Sequence, residues 1–225
     1  MRINCLRLLV GGASLGALFL TGCSTLTTSN KKPYEVVAYK PHNPSTVRVK
    51  VSLQSKMVYV MEGNRPLLVT PTTIGKQGAT TPTGTFHVFA KIQKKRSNTY
   101  GFWSNGRTVI AGTSGKAPGG GYHYVGYPMA YWVEFKPAYG FHQGAVWPIG
   151  HSHGCLRLHP NAAPKFFALV REGTSVNIGQ TQPEDETLGK KAPHPADYND
   201  PDPPAAFMIS SKVFEPPKGP LLQEQ

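Results

Sequence analysis

Alternating apolar and polar residues over the middle of the chain predict a domain built mainly of β-strands. From Val47 to Ser52, valines alternate with polar residues, which is the two-residue period of a half-buried strand. Pro71, inside the third such run, predicts an edge strand or a bulge, because proline cannot donate to a ladder. The runs that predict strands are 47–52, 57–61, 66–74, 85–90, 108–111, 129–135 and 175–178.

One amphipathic helix is predicted after residue 160. Asn161 can cap its N-terminus, Pro164 lies in the tolerated first turn, and apolar residues then recur at helical spacing. Gly173 ends it. The basic run 94–96 is interpreted as a solvated loop. The predicted class is therefore mainly β, with one or two short helices.

The ends of the chain differ in composition from this domain. Residues 1–22 have the length and apolar centre of a signal peptide, and their apolar run is too short to span a bilayer. They end in Leu20-Thr21-Gly22-Cys23, which resembles a bacterial lipobox with Cys23 as the lipidated residue. We therefore expect a periplasmic protein with a lipid anchor in the outer membrane. Residues 23–44 are interpreted as a polar tether, 45–180 as the domain and 181–225 as a proline-rich tail.

The formal net charge of +12 changes the picture of possible partners. Removing residues 1–22 takes away Arg2 and Arg7, so that 12 − 2 leaves +10. A basic surface favours an anionic partner. Export makes nucleic acid an unexpected partner and leaves cell-wall polymers and anionic lipids.

The cysteines point to reactive chemistry. Cys5 leaves with the signal peptide and Cys23 carries lipid, so Cys155 has no disulfide partner in an oxidising compartment. It lies in HSHGCLRL, where Gly154 allows a tight turn and Arg157 can bind a carboxylate. A nucleophilic thiol needs a base, for which the candidates are His123, His142, His151, His153 and His159.

Other interpretations of Cys155 stay open at this point. It could be a small buried apolar residue, or a zinc ligand together with His142, His151 and His153, although no paired ligand spacing supports a metal. A lipoprotein that only binds peptidoglycan would need no reactive thiol. The tyrosines of the glycine-rich stretch 119–131 could stack on sugar rings or simply pack in the domain.

Ser152-His153-Gly154-Cys155-Leu156-Arg157-Leu158, with His142 thirteen residues before the cysteine, resembles the catalytic signature of the L,D-transpeptidase (YkuD-like) family. The resemblance extends over roughly residues 47–179. It includes the opening strand pair 49–63, the TPTG-type turn 81–86 and the closing strand 173–178.

The resemblance implies a β-sandwich-like domain that transfers acyl groups between peptidoglycan stem peptides. It implies that Cys155 is the nucleophile and His142 the general base. Ser152, His153 and Gly154 would shape the pocket, with the amides of Gly154 and Cys155 donating to the oxyanion, and Arg157 would orient the substrate. No cofactor or metal is implied, and we expect a monomer. The acceptor, whether a stem-peptide amine, a protein lysine, a free amino acid or water, is not specified by the sequence.

Overall fold

The chain folds mainly as β-sheet, as predicted. The computed structural model describes residues 34–197 and 203–225, so the predicted signal peptide and Cys23 lie outside the described residues. Ten strands form one hydrogen-bonded sheet in the order β4-β10-β1-β2-β3-β9-β8-β7-β5-β6. They are β1 (Val47–Ser52), β2 (Met57–Glu62), β3 (Arg65–Thr73), β4 (Gly84–His87), β5 (Ala90–Ser104), β6 (Val109–Thr113), β7 (His123–Lys136), β8 (Tyr139–Gln143), β9 (Leu156–Leu158) and β10 (Ser175–Gly179), with the short helices α1 (Ala163–Leu169) and α2 (Ala205–Ile209).

The sheet closes on itself to give the sandwich-like form. β4 lies at one end of the strand order and β7 near the other, yet the rings of Phe86 and Phe135 are 5.3 Å apart. Helix α1 lies inside this fold, with Phe166 fully buried and 4.5 Å from the ring of Phe141. One apolar core therefore joins both halves of the sheet with α1. Among the described residues, none of the helices has the length and apolar character needed to cross a bilayer.

Strand β3 corrects one expectation. It pairs with β2 on one side and with β9 on the other, so Pro71 is not on an edge strand. The ladder to β9 contains only Thr72 and Thr73, so that ladder needs no donor from Pro71. The irregularity in the pairing falls at Val60/Met61 on β2.

Two further expectations are wrong in the region of strand β5. The predicted strand 85–90 ends at His87, and a separate strand of fifteen residues begins at Ala90. It contains Lys94–Arg96, which therefore belong to a strand and not to a solvated loop. Much of β5 is exposed, so it lacks the apolar alternation that marks a half-buried strand; pairing with β7 and β6 supplies its structure. We call β5, β6 and the first half of β7 the flap.

The N-terminal end of α1 differs from prediction. Ala162 is the cap residue and no side chain caps the helix. Asn161 instead donates through Nδ2 to the carbonyl oxygen of Tyr34 at 2.6 Å. Tyr34 is buried and Ala38 bridges to Leu68. The described part of the predicted tether thus packs on the domain.

The proline-rich tail also packs on the domain. Asp185 accepts hydrogen bonds from Tyr59 Oη at 2.6 Å, from Ser52 and Ser55, and from the Gln182 amide. Burial raises the pKa of Asp185, but the hydrogen bonds from these donors together outweigh burial, so the pKa is lowered. Farther along, the Arg96 guanidinium donates to carbonyl oxygens at the end of α2, and it lies 4.9 Å from the ring of Phe214.

We expect Asp185→Ala to release the first part of the tail. The substitution leaves the Tyr59 hydroxyl without its acceptor, which costs about 1–3 kcal/mol of unfolding free energy. Limited proteolysis should then cut the chain between residues 180 and 197 faster than in the unmodified protein. Because a depressed carboxyl pKa contributes stability that is lost as pH falls, the unmodified tail should also loosen below about pH 4. Glu186→Ala, at an exposed neighbouring carboxylate, is the control; equal cleavage of both variants would contradict the assignment.

Candidate active site

The centre of the candidate site is the parallel pairing of β8 with β9. Phe141 pairs with Leu156 and His142 pairs with Arg157. Successive strand residues face opposite sides. Phe141 and Leu156 are fully buried in the apolar core, and the other side of the ladder carries His142 and Arg157. Cys155 directly precedes β9 and is two residues from Arg157, the ladder partner of His142.

Ser152 holds the turn that leads into Cys155. Its buried hydroxyl accepts from the Gly154 amide at 3.0 Å and donates to the Cys155 carbonyl at 2.6 Å. The Gly154 amide is therefore engaged. This disagrees with the predicted role of that amide as an oxyanion donor, because an N–H bound to Ser152 is not free to bind substrate.

The TPTG-type turn braces the same loop from the other side. Thr81 donates through Oγ1 to the Gly154 carbonyl at 3.0 Å and accepts from the Gly75 amide at 2.9 Å. Gly154 has a φ of +107°, and a Cβ there would lie 2.5 Å from the Tyr139 ring. Only glycine fits this position, which explains its place next to the cysteine.

The thiol of Cys155 is a neutral group in this environment. Its Sγ lies 3.7 Å from the carbonyl oxygen of Ala138, in the turn between β7 and β8. Burial raises its pKa, and the opposing effects of the Gly140 backbone, Arg157 and Lys95 do not overcome burial. In the protein without substrate, burial therefore outweighs the positive charges near this thiol.

The imidazole of His142 is also neutral and has a defined tautomer. Burial is the main cause that lowers its pKa to about 4; Arg157 acts in the same direction, and the hydrogen bond to the Gln143 carbonyl opposes both. Nδ1 lies 2.8 Å from that carbonyl oxygen, so Nδ1 carries the proton and donates it. Nε2 keeps its lone pair, as a general base requires.

Aromatic rings enclose the imidazole. Tyr127 lies 6.4 Å from His142 in an edge contact, and the Arg157 guanidinium lies 5.7 Å from the same tyrosine ring. Trp132 lies 6.1 Å from His142. Of the tyrosines in the glycine-rich stretch, Tyr127 thus belongs to the site, whereas Tyr131 packs against Phe167 in the core.

The other histidines of the loop have different surroundings. The side chain of His153 is largely exposed and stacks on the ring of Tyr100 in the flap at 4.3 Å. Its pKa is lowered, mainly because the ring loses part of its hydration and secondly because positive charges lie nearby. His151 stacks on Trp147, and His159 packs against the ring of Tyr34. Within residues 34–197 and 203–225, no group of three or more histidine, cysteine or acidic side chains is arranged to hold a metal ion.

Nothing in the sequence pattern pointed to Trp132 and Glu134 as part of the site. Glu134 accepts from the Trp132 indole N–H at 3.0 Å and from the Ala138 amide at 3.0 Å. Both residues lie in an ordinary strand pattern, and their connection to the site depends on the turn that follows. Periodicity cannot reveal such a connection.

Comparison with known proteins gives consistent matches. The family described as the L,D-transpeptidase catalytic domain (YkuD) matches residues 46–178, more than half of the chain. A Bacillus subtilis (strain 168) protein that is named as an L,D-transpeptidase, YkuD, is 28% identical over 184 residues, which cover 80% of this chain and 88% of that protein.

Solved structures of L,D-transpeptidases are also similar. The one from Stackebrandtia nassauensis is 19% identical with a TM-score of 0.44, covering 65% of this chain and 60% of that one. L,D-transpeptidase 1 of Mycobacterium tuberculosis is 21% identical with a TM-score of 0.42, covering 59% and 61%. The chain thus spans about 60% of the length of these structures.

We expect alkylation of Cys155 by iodoacetamide to titrate above the ordinary cysteine value of about 8.5, because burial raises the pKa of this thiol. Peptide mass spectrometry across pH 5–10 measures the rate at this one cysteine, with N-acetylcysteine as the reference thiol. A rate that is already constant between pH 5 and 7 would reveal a thiolate–imidazolium pair and contradict the neutral state.

Proposed function

The chain belongs to the L,D-transpeptidase catalytic-domain family, a family of acyltransferases, and from this premise we propose that it transfers acyl groups of peptidoglycan stem peptides through a thioester on Cys155. The observation that carries the proposal is the buried neutral His142, with its Nδ1 proton directed to a carbonyl, beside a cysteine-bearing strand end.

In the first half-reaction, Sγ of Cys155 attacks the carbonyl carbon that follows an L-centre, and the thiol proton moves to Nε2 of His142. Because the thiol and the imidazole are both neutral before the reaction, the proton moves during the attack and not before it. The tetrahedral intermediate collapses, the C–N bond breaks, and the imidazolium gives its proton to the departing amine of D-alanine. The product is a thioester.

In the second half-reaction, an acceptor amine enters the position that D-alanine has left. Nε2 of His142 takes a proton from this amine as its nitrogen attacks the thioester carbon. The C–S bond then breaks and Cys155 recovers its proton. Two steps of moderate barrier replace one difficult amide exchange.

The environment of Arg157 favours a substrate that carries a carboxylate. Its Nε is buried and has no hydrogen-bond partner among the described residues. A buried donor without an acceptor is costly and is normally satisfied when the site is occupied. Stem peptides carry free carboxylates, which guanidinium binds with two parallel hydrogen bonds. The formal charge, +12 for the whole chain and +10 without residues 1–22, favours the same anionic polymer.

We expect His142→Ala to lower turnover of purified muropeptides by about 10²- to 10⁴-fold, the usual contribution of a positioned general base. Cys155→Ala should abolish turnover and any covalent adduct with a carbapenem, measured by intact mass. His87→Asn removes an exposed imidazole on β4 and serves as the matched control, with activity expected to be unchanged.

The product masses decide between acceptors. A cross-linked dimer or an exchanged terminal amino acid indicates transfer to an amine, and a trimmed stem indicates hydrolysis by the same acyl-enzyme. A protein that binds muropeptides but forms no adduct and no product would instead be a peptidoglycan-binding module, which would overturn the proposal.

We also propose that the protein is anchored in the outer membrane through lipid on Cys23, with its domain in the periplasm. Support comes from the apolar segment before Leu20-Thr21-Gly22-Cys23 alone. We expect Cys23→Ala to move the protein from the membrane fraction to the soluble periplasmic fraction and to remove a lipid mass from the N-terminal peptide. Cys5→Ala is the control, and an unchanged distribution of the Cys23→Ala protein would contradict lipidation.

A further inference from the structure

Glu134 lies on β7, and its two hydrogen bonds lead toward Cys155 on one side and His142 on the other. These two residues are called the candidate catalytic pair. The two oxygens of its half-buried carboxylate accept two different hydrogen bonds, one from the Trp132 indole and one from the Ala138 amide, each at 3.0 Å. A carboxylate can accept both donors at once, whereas an amide side chain offers one oxygen and one NH₂ group. The position therefore suits a carboxylate in particular.

The first hydrogen bond acts on the side of the base. It fixes the rotation of the indole of Trp132, which is 1% exposed and lies 6.1 Å from the His142 ring. The indole also packs against Gly140, where a Cβ would approach its ring to 2.9 Å. Trp132 is thus a wall of the imidazole's cavity, and Glu134 holds that wall in one orientation.

The second hydrogen bond acts on the side of the nucleophile. It holds the turn between β7 and β8, where Ala138 has a φ of +66°, a conformation that a residue with a side chain adopts at a cost. The carbonyl of Ala138 faces the thiol of Cys155 at 3.7 Å. Glu134 therefore fixes the peptide group against which the resting thiol lies.

We propose that Glu134 is a positioning residue that sets the relative placement of Cys155 and His142 through Ala138 and Trp132. This inference rests on the proposed function, because it concerns the same pair. Glu134 touches neither the sulfur nor the imidazole and acts through its two hydrogen-bond donors.

The effect of Glu134 as a positioning residue can be distinguished from the effect of its negative charge on the thiol. Burial is the main cause that raises the pKa of the Cys155 thiol, and the Glu134 carboxylate raises it further. Removing the charge alone would increase the thiolate fraction at neutral pH and favour attack. Loss of positioning would act in the opposite direction on turnover. The two effects therefore give opposite signs for one substitution.

The test compares Glu134→Gln, Glu134→Ala, Trp132→Phe and the double variant Trp132→Phe/Glu134→Ala in the full chain. Glutamine keeps the shape and one acceptor, and phenylalanine keeps a ring but removes the indole donor. Glu215→Gln, at an exposed tail carboxylate, is the control for loss of one charge. Four quantities are measured for each: the pH midpoint of Cys155 alkylation, the rate of acylation by a carbapenem, and kcat and KM with muropeptides.

For Glu134→Gln we expect an alkylation midpoint at lower pH together with a carbapenem acylation rate and a kcat at least about tenfold lower, since small displacements of reacting groups are costly. KM should stay within about twofold, because substrate contacts remain. The double variant should lose less than the product of the single losses, because both substitutions break one connection. Melting temperatures exclude a folding defect as the cause.

Acylation and kcat within about twofold of the unmodified protein in Glu134→Gln would overturn the proposal, as would losses that multiply fully in the double variant. Failure of the proposed function has a different signature. If the unmodified protein turns over no muropeptide, the carbapenem and alkylation readouts still test the placement of the pair.

Discussion

The parallel ladder between β8 and β9 is the constraint on which the candidate site depends. A parallel ladder fixes which residues of the two strands are neighbours, and here it pairs His142 with Arg157. The other side of the ladder is anchored in the core through Phe141, Leu156 and α1. Slipping by one residue would expose those apolar side chains and bury the arginine. The packing of the core therefore fixes the geometry of the site.

Burial also decides the electrostatic state of the pair. Arg157 and Lys95 favour the thiolate, but removing the sulfur from water outweighs them and raises the pKa of Cys155. The same burial lowers the pKa of His142 to about 4. In the proposed mechanism, a neutral pair holds no charge until the thiol attacks, when the developing oxyanion and the imidazolium appear together. A neutral thiol also reacts more slowly with oxidants than a thiolate does.

The sequence predicted the parts of the protein whose physical signals are local. The valines of β1, the glycine beside Cys155 and the apolar spacing of α1 each report their own surroundings, and the structure agrees with the corresponding elements. Prediction failed where partners are distant in sequence. Only three of the fifteen residues of strand β5 are buried, so it shows no apolar alternation, and Asn161 binds Tyr34 rather than its own helix.

The same reasoning applies to the site. Residue type singled out Cys155 and left several histidines as candidate bases, and the resemblance to L,D-transpeptidases pointed to His142 among them. The engagement of the Gly154 amide, by contrast, depends on the rotation of one serine side chain. Glu134 could not be recognised, because its two donors come from a buried tryptophan and from a turn. The contacts of Glu134 can be identified only when the conformation of the turn between β7 and β8 is known.

The flap and the tail extend the site beyond the domain that periodicity defines. Tyr100 of the flap stacks on His153 in the cysteine loop, so the flap reaches the site directly. At its other end, Arg96 of β5 donates to the carbonyls of Met208, Ile209 and Ser210. These oxygens at the end of α2 have no intrahelical partner and need a donor. The tail therefore stabilises the base of the flap, and the proline-rich segment is structurally part of the unit that surrounds Cys155.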